Sequence, residues 1–150
     1  MQVAARELYA LIREVYHQLQ NNLENQLKQF DISVVQFGVI QVLSDSEKTS
    51  MSHLKQKIGC APSNVTTIIQ RMKRDGFVTT TKNPNDQRET LVYLTEKGKE
   101  TKEKVNLQYK AFLKENFSYF DEEKCITLSE ILKDYKHHLL NVGEEVQKCN

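Results

Sequence analysis

The sequence predicts a mainly helical α+β chain carrying one short β-hairpin. Three observations support that class. Only two prolines and five glycines punctuate 150 residues, so long helices can form. Apolar residues recur at spacings of three and four through most of the chain, the period of a one-sided helix. The exception is a stretch rich in Thr, Val and Tyr after Gly76, where the pattern becomes that of strands.

The elements follow in order. Residues 3–29 place Leu8, Ile12, Val15, Leu19, Leu23 and Leu27 on one helical stripe. A second helix over 33–43 turns Val35, Val39, Ile40 and Leu43 inward. Ser50 can cap a short third helix ending at Ile58-Gly59, glycine being the usual stop. Pro62 suits the first turn of a fourth helix, where no N–H is needed, and Asp75-Gly76 ends it. Strands are expected over 77–82 and 89–94. The polar cluster Asn83-Pro84-Asn85-Asp86-Gln87-Arg88 joins them as a longer-than-minimal loop. Thr95 can cap a fifth helix reaching about Tyr119, with Val105, Tyr109, Phe112, Leu113 and Asn116/Phe117 inward. Asp121 caps the last helix, with Glu122 and Glu123 favourably placed at its positive end.

That last helix has the most regular pattern. Cys125, Leu128, Leu132, Tyr135, Leu139, Val142, Val146 and Cys149 alternate by three and four, the narrow seam of a coiled coil. Two long one-sided helices at opposite ends of a small chain cannot both bury their stripes in a monomer. A homodimer built from the termini is therefore expected.

Size and composition exclude several classes. The chain is long enough for one domain with a real core. Three scattered cysteines, Cys60, Cys125 and Cys149, make no self-contained disulfide framework and fit a reducing compartment. Of these, Cys60 reads as a small buried turn residue rather than a redox centre, although a helix start could stabilise its thiolate. The uncharged run at residues 32–44, which no other exceeds in length, is too short and polar to span a bilayer, and no secretory cleavage pattern follows Met1. A cytoplasmic protein without membrane association is expected. His137 and His138 point in different directions on a helix, and His17 and His53 stand alone, so no metal site is expected. No phosphate loop, nucleophile elbow or paired-carboxylate arrangement is present, which argues against an enzyme or a bound cofactor.

Charge is unevenly distributed. Residues 48–102 hold 11 Lys and Arg against 5 Asp and Glu, a net of +6 between two mildly acidic flanks. Such a block calls for a polyanionic partner. Its element order, two short helices and then a hairpin, is the winged helix-turn-helix plan, in which a helix enters the major groove of DNA and the hairpin loop reaches a neighbouring minor groove. On the fourth helix Val65, Ile69 and Met72 form the inner face, with Ile68 alongside. Ser63, Asn64, Thr66, Thr67, Gln70, Arg71 and Arg74 are left outside. Short hydrogen-bonding groups near the helix start and cations near its end suit a helix that presents its first turns to base edges.

The run Ala61-Pro62-Ser63-Asn64-Val65-Thr66-Thr67-Ile68-Ile69-Gln70-Arg71-Met72-Lys73-Arg74-Asp75-Gly76-Phe77-Val78 resembles the recognition helix and first wing strand of MarR-type transcriptional regulators. The wing Asn83-Pro84-Asn85-Asp86-Gln87-Arg88, followed by Leu94-Thr95-Glu96-Lys97-Gly98, is similar to that family's D-x-R wing and L-T-x-x-G helix start. Ser50-Met51-Ser52-His53-Leu54 and Ile58-Gly59 fit its first helix-turn-helix segment, and the resemblance extends over the whole chain.

The resemblance implies one MarR-like domain over 1–150. Residues 33–98 would form the DNA-binding lobe, and residues 1–30 and 100–148 the helical dimerisation region. It implies a repressor that binds double-stranded DNA at an inverted repeat as a homodimer. Arg88 would enter the minor groove, where narrow A·T tracts concentrate negative potential, and Asp86 would hold that arginine or the wing by a charge-assisted bond. Thr66 offers only a methyl contact or a short hydrogen bond to a base. The resemblance also implies release by a small aromatic or anionic effector, for which Tyr9, Tyr16, His17, Phe37 and Tyr109 could line a cleft; the same aromatics serve equally well as core. The alternative is a winged-helix module that binds proteins or small ligands without reading DNA. It would favour an apolar outer face on the fourth helix and a wing without arginine, and the sequence has neither.

Overall fold

The chain runs α1 (Gln2–Leu27), a 3-10 turn (Lys28–Phe30), α2 (Val34–Val42), β1 (Thr49–Ser50), α3 (Met51–Lys57), α4 (Pro62–Arg74), β2 (Val78–Asn83), β3 (Asp86–Leu94), α5 (Glu96–Phe117) and α6 (Glu122–Lys148). This computed structural model describes the backbone of residues 2–43, 45, 47–58 and 62–148. It describes the side chains of these residues except Gln2, Pro62, Ser63 and 143–148. The expected helix stop at Gly59, the turn residue Cys60, and the seam positions Val146 and Cys149 lie outside the described side chains. The chain divides into two compact units, Met1–Phe112 and Leu113–Asn150.

Side-chain caps set most helix starts. Ser33 forms a reciprocal capping box, its Oγ accepting from Gln36 N at 3.1 Å while Gln36 Oε1 accepts from Ser33 N at 2.8 Å. Ser50 Oγ accepts from His53 N at 3.1 Å to open α3, and Asp121 Oδ1 accepts from Lys124 N at 2.9 Å to open α6. At the far end of α4 the chain turns through Gly76, whose φ of +84° is left-handed. Phe77 N donates to Met72 O and Gly76 N to Lys73 O, the paired bonds of a Schellman stop.

The core of the first unit joins α2, α3, α4 and the sheet. Val39, Ile40, Leu43, Leu54, Val65, Ile69, Met72, Val78 and Val92 are fully buried there, together with Leu27 from α1 and Val105 from α5. On α4 the buried set is the expected Val65, Ile69 and Met72, with Ile68 half-buried beside them. On α2 one expectation fails: Val35 is 41% exposed and Phe37 is buried instead. Nearly every residue of α2 is apolar, so its periodicity carried little information about which face turns inward.

The sheet is antiparallel with order β1-β3-β2. Strand β1 is a two-residue addition that the sequence did not announce, pairing Thr49 with Val92 and Ser50 with Leu91. The hairpin corrects a second expectation. Strands β2 and β3 run to Asn83 and from Asp86, which pair directly, so Pro84 and Asn85 alone make the turn. The residues expected to form a long loop instead extend the two strands. Thr95 caps α5 as expected, its Oγ1 accepting from Gly98 N at 3.1 Å, although α5 ends at Phe117 rather than near Tyr119. Leu113 and Phe117, expected inward, are exposed and belong to the second unit.

Candidate nucleic-acid interface

A cleft of about 540 Å³ opens between α3, α4 and the hairpin, lined by Met51, Ser52, Lys55, Thr66, Asp86, Arg88, Glu89 and Thr90. Three successive parts of the chain, α3, α4 and the hairpin, thus present polar groups to one concavity. The wall from α4 follows from its inner stripe: burying Val65, Ile69 and Met72 forces Asn64, Thr67, Gln70, Arg71 and Arg74 to the exposed side. Thr66, expected outward, is half-buried at the edge of the cleft rather than on the open face. The backbone of Ser63 is the second residue of α4, and its side chain lies outside the described set.

The hairpin wall has an unusual register. Lys82 pairs with Thr90, and the next residue, Asn83, pairs with Asp86. Gln87, Arg88 and Glu89 therefore have no opposite number on β2, and β3 bulges at this point. Two side chains close the bulge. Asp86 Oδ1 accepts from Arg88 N at 3.0 Å and from Arg88 Nε at 3.4 Å. Asn83 Oδ1 accepts from Asn85 N at 3.0 Å, while its Nδ2 donates to Glu89 Oε2. The Arg88 side chain is 94% exposed, projecting a cation from a backbone that is locally tied down. The ion pair with Asp86 is itself worth under about 1 kcal/mol at such exposure; its effect is on shape.

The hairpin is also tied to α4. Lys73 Nζ donates to Thr80 Oγ1 at 2.9 Å, so the recognition-helix candidate and β2 share a bond across the exposed face. Sequence reading missed Ser52, Lys55, Glu89 and Thr90 as members of this site. The three-residue spacing of Ser52 and Lys55 around buried Leu54 was a readable signal for the first two. Nothing local marks Glu89 or Thr90, because their positions depend on the bulged register.

The aromatic set expected around an effector is split. Phe37 is buried, with its ring centre 5.1 Å from that of Tyr109. Tyr16 and His17 lie edge to face at 5.9 Å on α1, and Tyr9, Tyr16 and His17 are all exposed. Among the described residues no three of His, Cys, Asp and Glu gather as a metal would require, and no helix is long and apolar enough to cross a membrane.

Comparisons with known proteins agree with this fold. The MarR family profile matches residues 32–90, the segment from just before α2 to just past the bulge of β3. A MarR-like transcription regulator from Bacillus cereus is 60% identical in sequence. It superposes with a TM-score of 0.82 over 91% of this chain and 99% of that one. A mutant MarR from E. coli, solved in complex with operator DNA, is 25% identical with a TM-score of 0.80, over 86% of this chain and 93% of that one. The HTH-type transcriptional repressor IacR of Pseudomonas putida is 28% identical over 128 residues, 85% of this chain and 77% of its own length. With the winged helix-turn-helix, the tied wing arginine and a 60% identical relative in place, the chain belongs to the MarR family of transcriptional regulators.

Proposed function

We propose that the protein is a sequence-specific repressor that binds double-stranded DNA at an inverted repeat as a homodimer. The observation that carries the reading is the shared cleft. Thr66 of α4 and the projecting Arg88 of the hairpin both line it, which fits a helix entering a major groove while the wing reaches the adjoining minor groove. Asn64, Thr67 and Gln70 would read base edges. Arg71, Arg74 and Lys55 would meet phosphates, with Ser63 at the helix start and Thr66 at the cleft edge. Asp86 would hold Arg88 as it enters the minor groove. The E. coli relative solved on operator DNA and the repressor name of the P. putida relative support the same direction.

Dimerisation is supported by apolar surface on each terminal helix taken alone. On α1, Leu8, Leu11, Ile12 and Val15 are exposed; on α6, Leu128, Leu132, Tyr135, Leu139 and Val142 are exposed. Stripes of this size demand a partner, and a second copy presents the complementary stripe. The residues 1–30 and 100–148 are thus proposed as the dimerisation region around a 33–98 DNA-binding lobe, in a cytoplasmic regulator without catalytic activity. Release by a small aromatic or anionic effector is part of the proposal, with Tyr109, Phe37, Tyr9, Tyr16 and His17 as the residues to test.

The deciding experiment is selection of bound duplexes from a random pool at stated salt. An inverted repeat with half-sites about 10 base pairs apart, one helical turn, is expected. Output without palindromic character would overturn sequence-specific recognition by a two-fold dimer.

A further inference from the structure

The bulge in β3 leaves Gln87, Arg88 and Glu89 without partners on β2, a place where a backbone would ordinarily be loose. Asn83 spans its base with both ends of one amide: Oδ1 takes the Asn85 N–H of the turn, and Nδ2 reaches across to the Glu89 carboxylate. That amide-to-carboxylate bond is partly buried, whereas Asp86 and Arg88 are exposed at the rim. A carboxylate on the DNA-facing side of a wing opposes the phosphates by simple charge, so Glu89 weakens general attraction to DNA. Its hydrogen bond supplies the reason for its presence.

We propose that Glu89, held by Asn83, is a positioning residue that fixes the wing bulge so that Arg88 is presented to DNA in one geometry. The pair trades general affinity for discrimination. Arg88 is anchored from two sides, by Asp86 at its own amide and by the Asn83–Glu89 bond one residue further on. Removing either anchor frees the arginine to meet phosphates at random. The inference rests on the DNA-binding reading above, and part of its test needs no DNA.

Four variants separate charge from position, with Arg88 and Asp86 untouched. Glu89→Gln keeps an oxygen acceptor for Asn83 Nδ2 and removes the charge. It is expected to raise affinity for the selected operator and for scrambled duplex by the same factor, leaving their ratio unchanged. Glu89→Ala removes both charge and acceptor, and the operator-to-scrambled ratio should fall about three- to tenfold, the effect of removing one hydrogen bond. Asn83→Asp sets two carboxylates against each other and should lower the ratio likewise. Adding Glu89→Gln to it restores a donor–acceptor pair at the wild-type net charge and should restore the ratio. In the free protein, amide hydrogen exchange at Gln87–Glu89 should quicken in Glu89→Ala and stay at the wild-type rate in Glu89→Gln. Identical ratios and identical exchange in Glu89→Ala and Glu89→Gln would overturn the proposal, reducing Glu89 to a charge. Exchange differences together with a wild type that discriminates no duplex would instead overturn the repressor reading, while confirming the anchor.

Discussion

Lys97 Nζ donates to the carbonyl oxygen of Asp75 at 2.7 Å, and the same ammonium lies 4.5 Å from the centre of the Phe77 ring. The first turn of α5 is thereby fastened to the end of α4, where an unpaired helix carbonyl and the negative end of the helix dipole both favour a cation. Thr95 adds to the fastening: its N–H donates to Phe77 O at 3.1 Å, and its hydroxyl donates to Gly76 O. Helix α4, proposed to read bases, is thus locked onto the helix that leads into the proposed dimerisation region.

Gly98 lies at the tightest point of that junction. A Cβ built there would stand 2.0 Å from the backbone oxygen of Phe77, too close for any side-chain adjustment to relieve. Gly98→Ala is therefore expected to destabilise by about 2 kcal/mol or more, as overpacking against backbone does. Urea unfolding at one fixed protein concentration measures it. A midpoint within error of wild type would mean that α5 does not approach the wing this closely.

Gly76 makes a different case. Its Cβ would meet only Lys97 Cδ at 3.7 Å, an ordinary contact, so any cost comes from the left-handed backbone at φ +84°. Gly76→Ala should cost about 1–2 kcal/mol, and Gly76→Asn measurably less, because asparagine tolerates that conformation. Equal losses for the two substitutions would contradict the Schellman geometry as the cause.

How much was legible follows from where the determinants lie. Caps are local, so Ser50, Thr95 and Asp121 announce their helices within three or four residues. The inner face of α4 was legible because its period is clean and its outer residues are polar. The wing was not. Whether Asn83 to Arg88 forms an open loop or two paired strands with a bulge is decided by bonds from Asp86 and Asn83 that no spacing rule contains. Strand β1 escaped notice for a related reason, since Ser50 is both its second residue and the cap of α3.

The proposed dimer makes a direct prediction on α6. Leu132 and Leu139 are about half exposed on the regular seam of the second unit, where a partner stripe would bury them. Placing charge there, as Leu132→Lys with Leu139→Lys, should shift sedimentation equilibrium toward a 17.5 kDa species at micromolar concentration, while the wild type remains at twice that mass. Operator binding should weaken in parallel, because two linked half-sites become one. A wild type that sediments as a folded monomer would sink the dimer.

Wing and helix should fail in different ways. Arg88 offers a nearly fully exposed guanidinium on a tied backbone, so Arg88→Ala removes a groove cation without disturbing any packing. Affinity should fall on unrelated duplex and somewhat further on operator, and the slope of log affinity against log salt should shrink by about one unit. Thr67 and Gln70 lie on the outer side of α4, opposite buried Val65, Ile69 and Met72. Thr67→Ala or Gln70→Ala should lower discrimination against scrambled DNA by about 1–3 kcal/mol for each base-edge interaction it removes, with the salt slope nearly unchanged. Met72→Ala is the structural control: it opens a cavity beneath the same helix and should cost about 2–5 kcal/mol of stability, lowering binding only as the folded fraction falls. The roles assigned to wing and helix fail if Arg88→Ala keeps wild-type affinity through a salt titration, or if the two α4 substitutions scale every duplex equally.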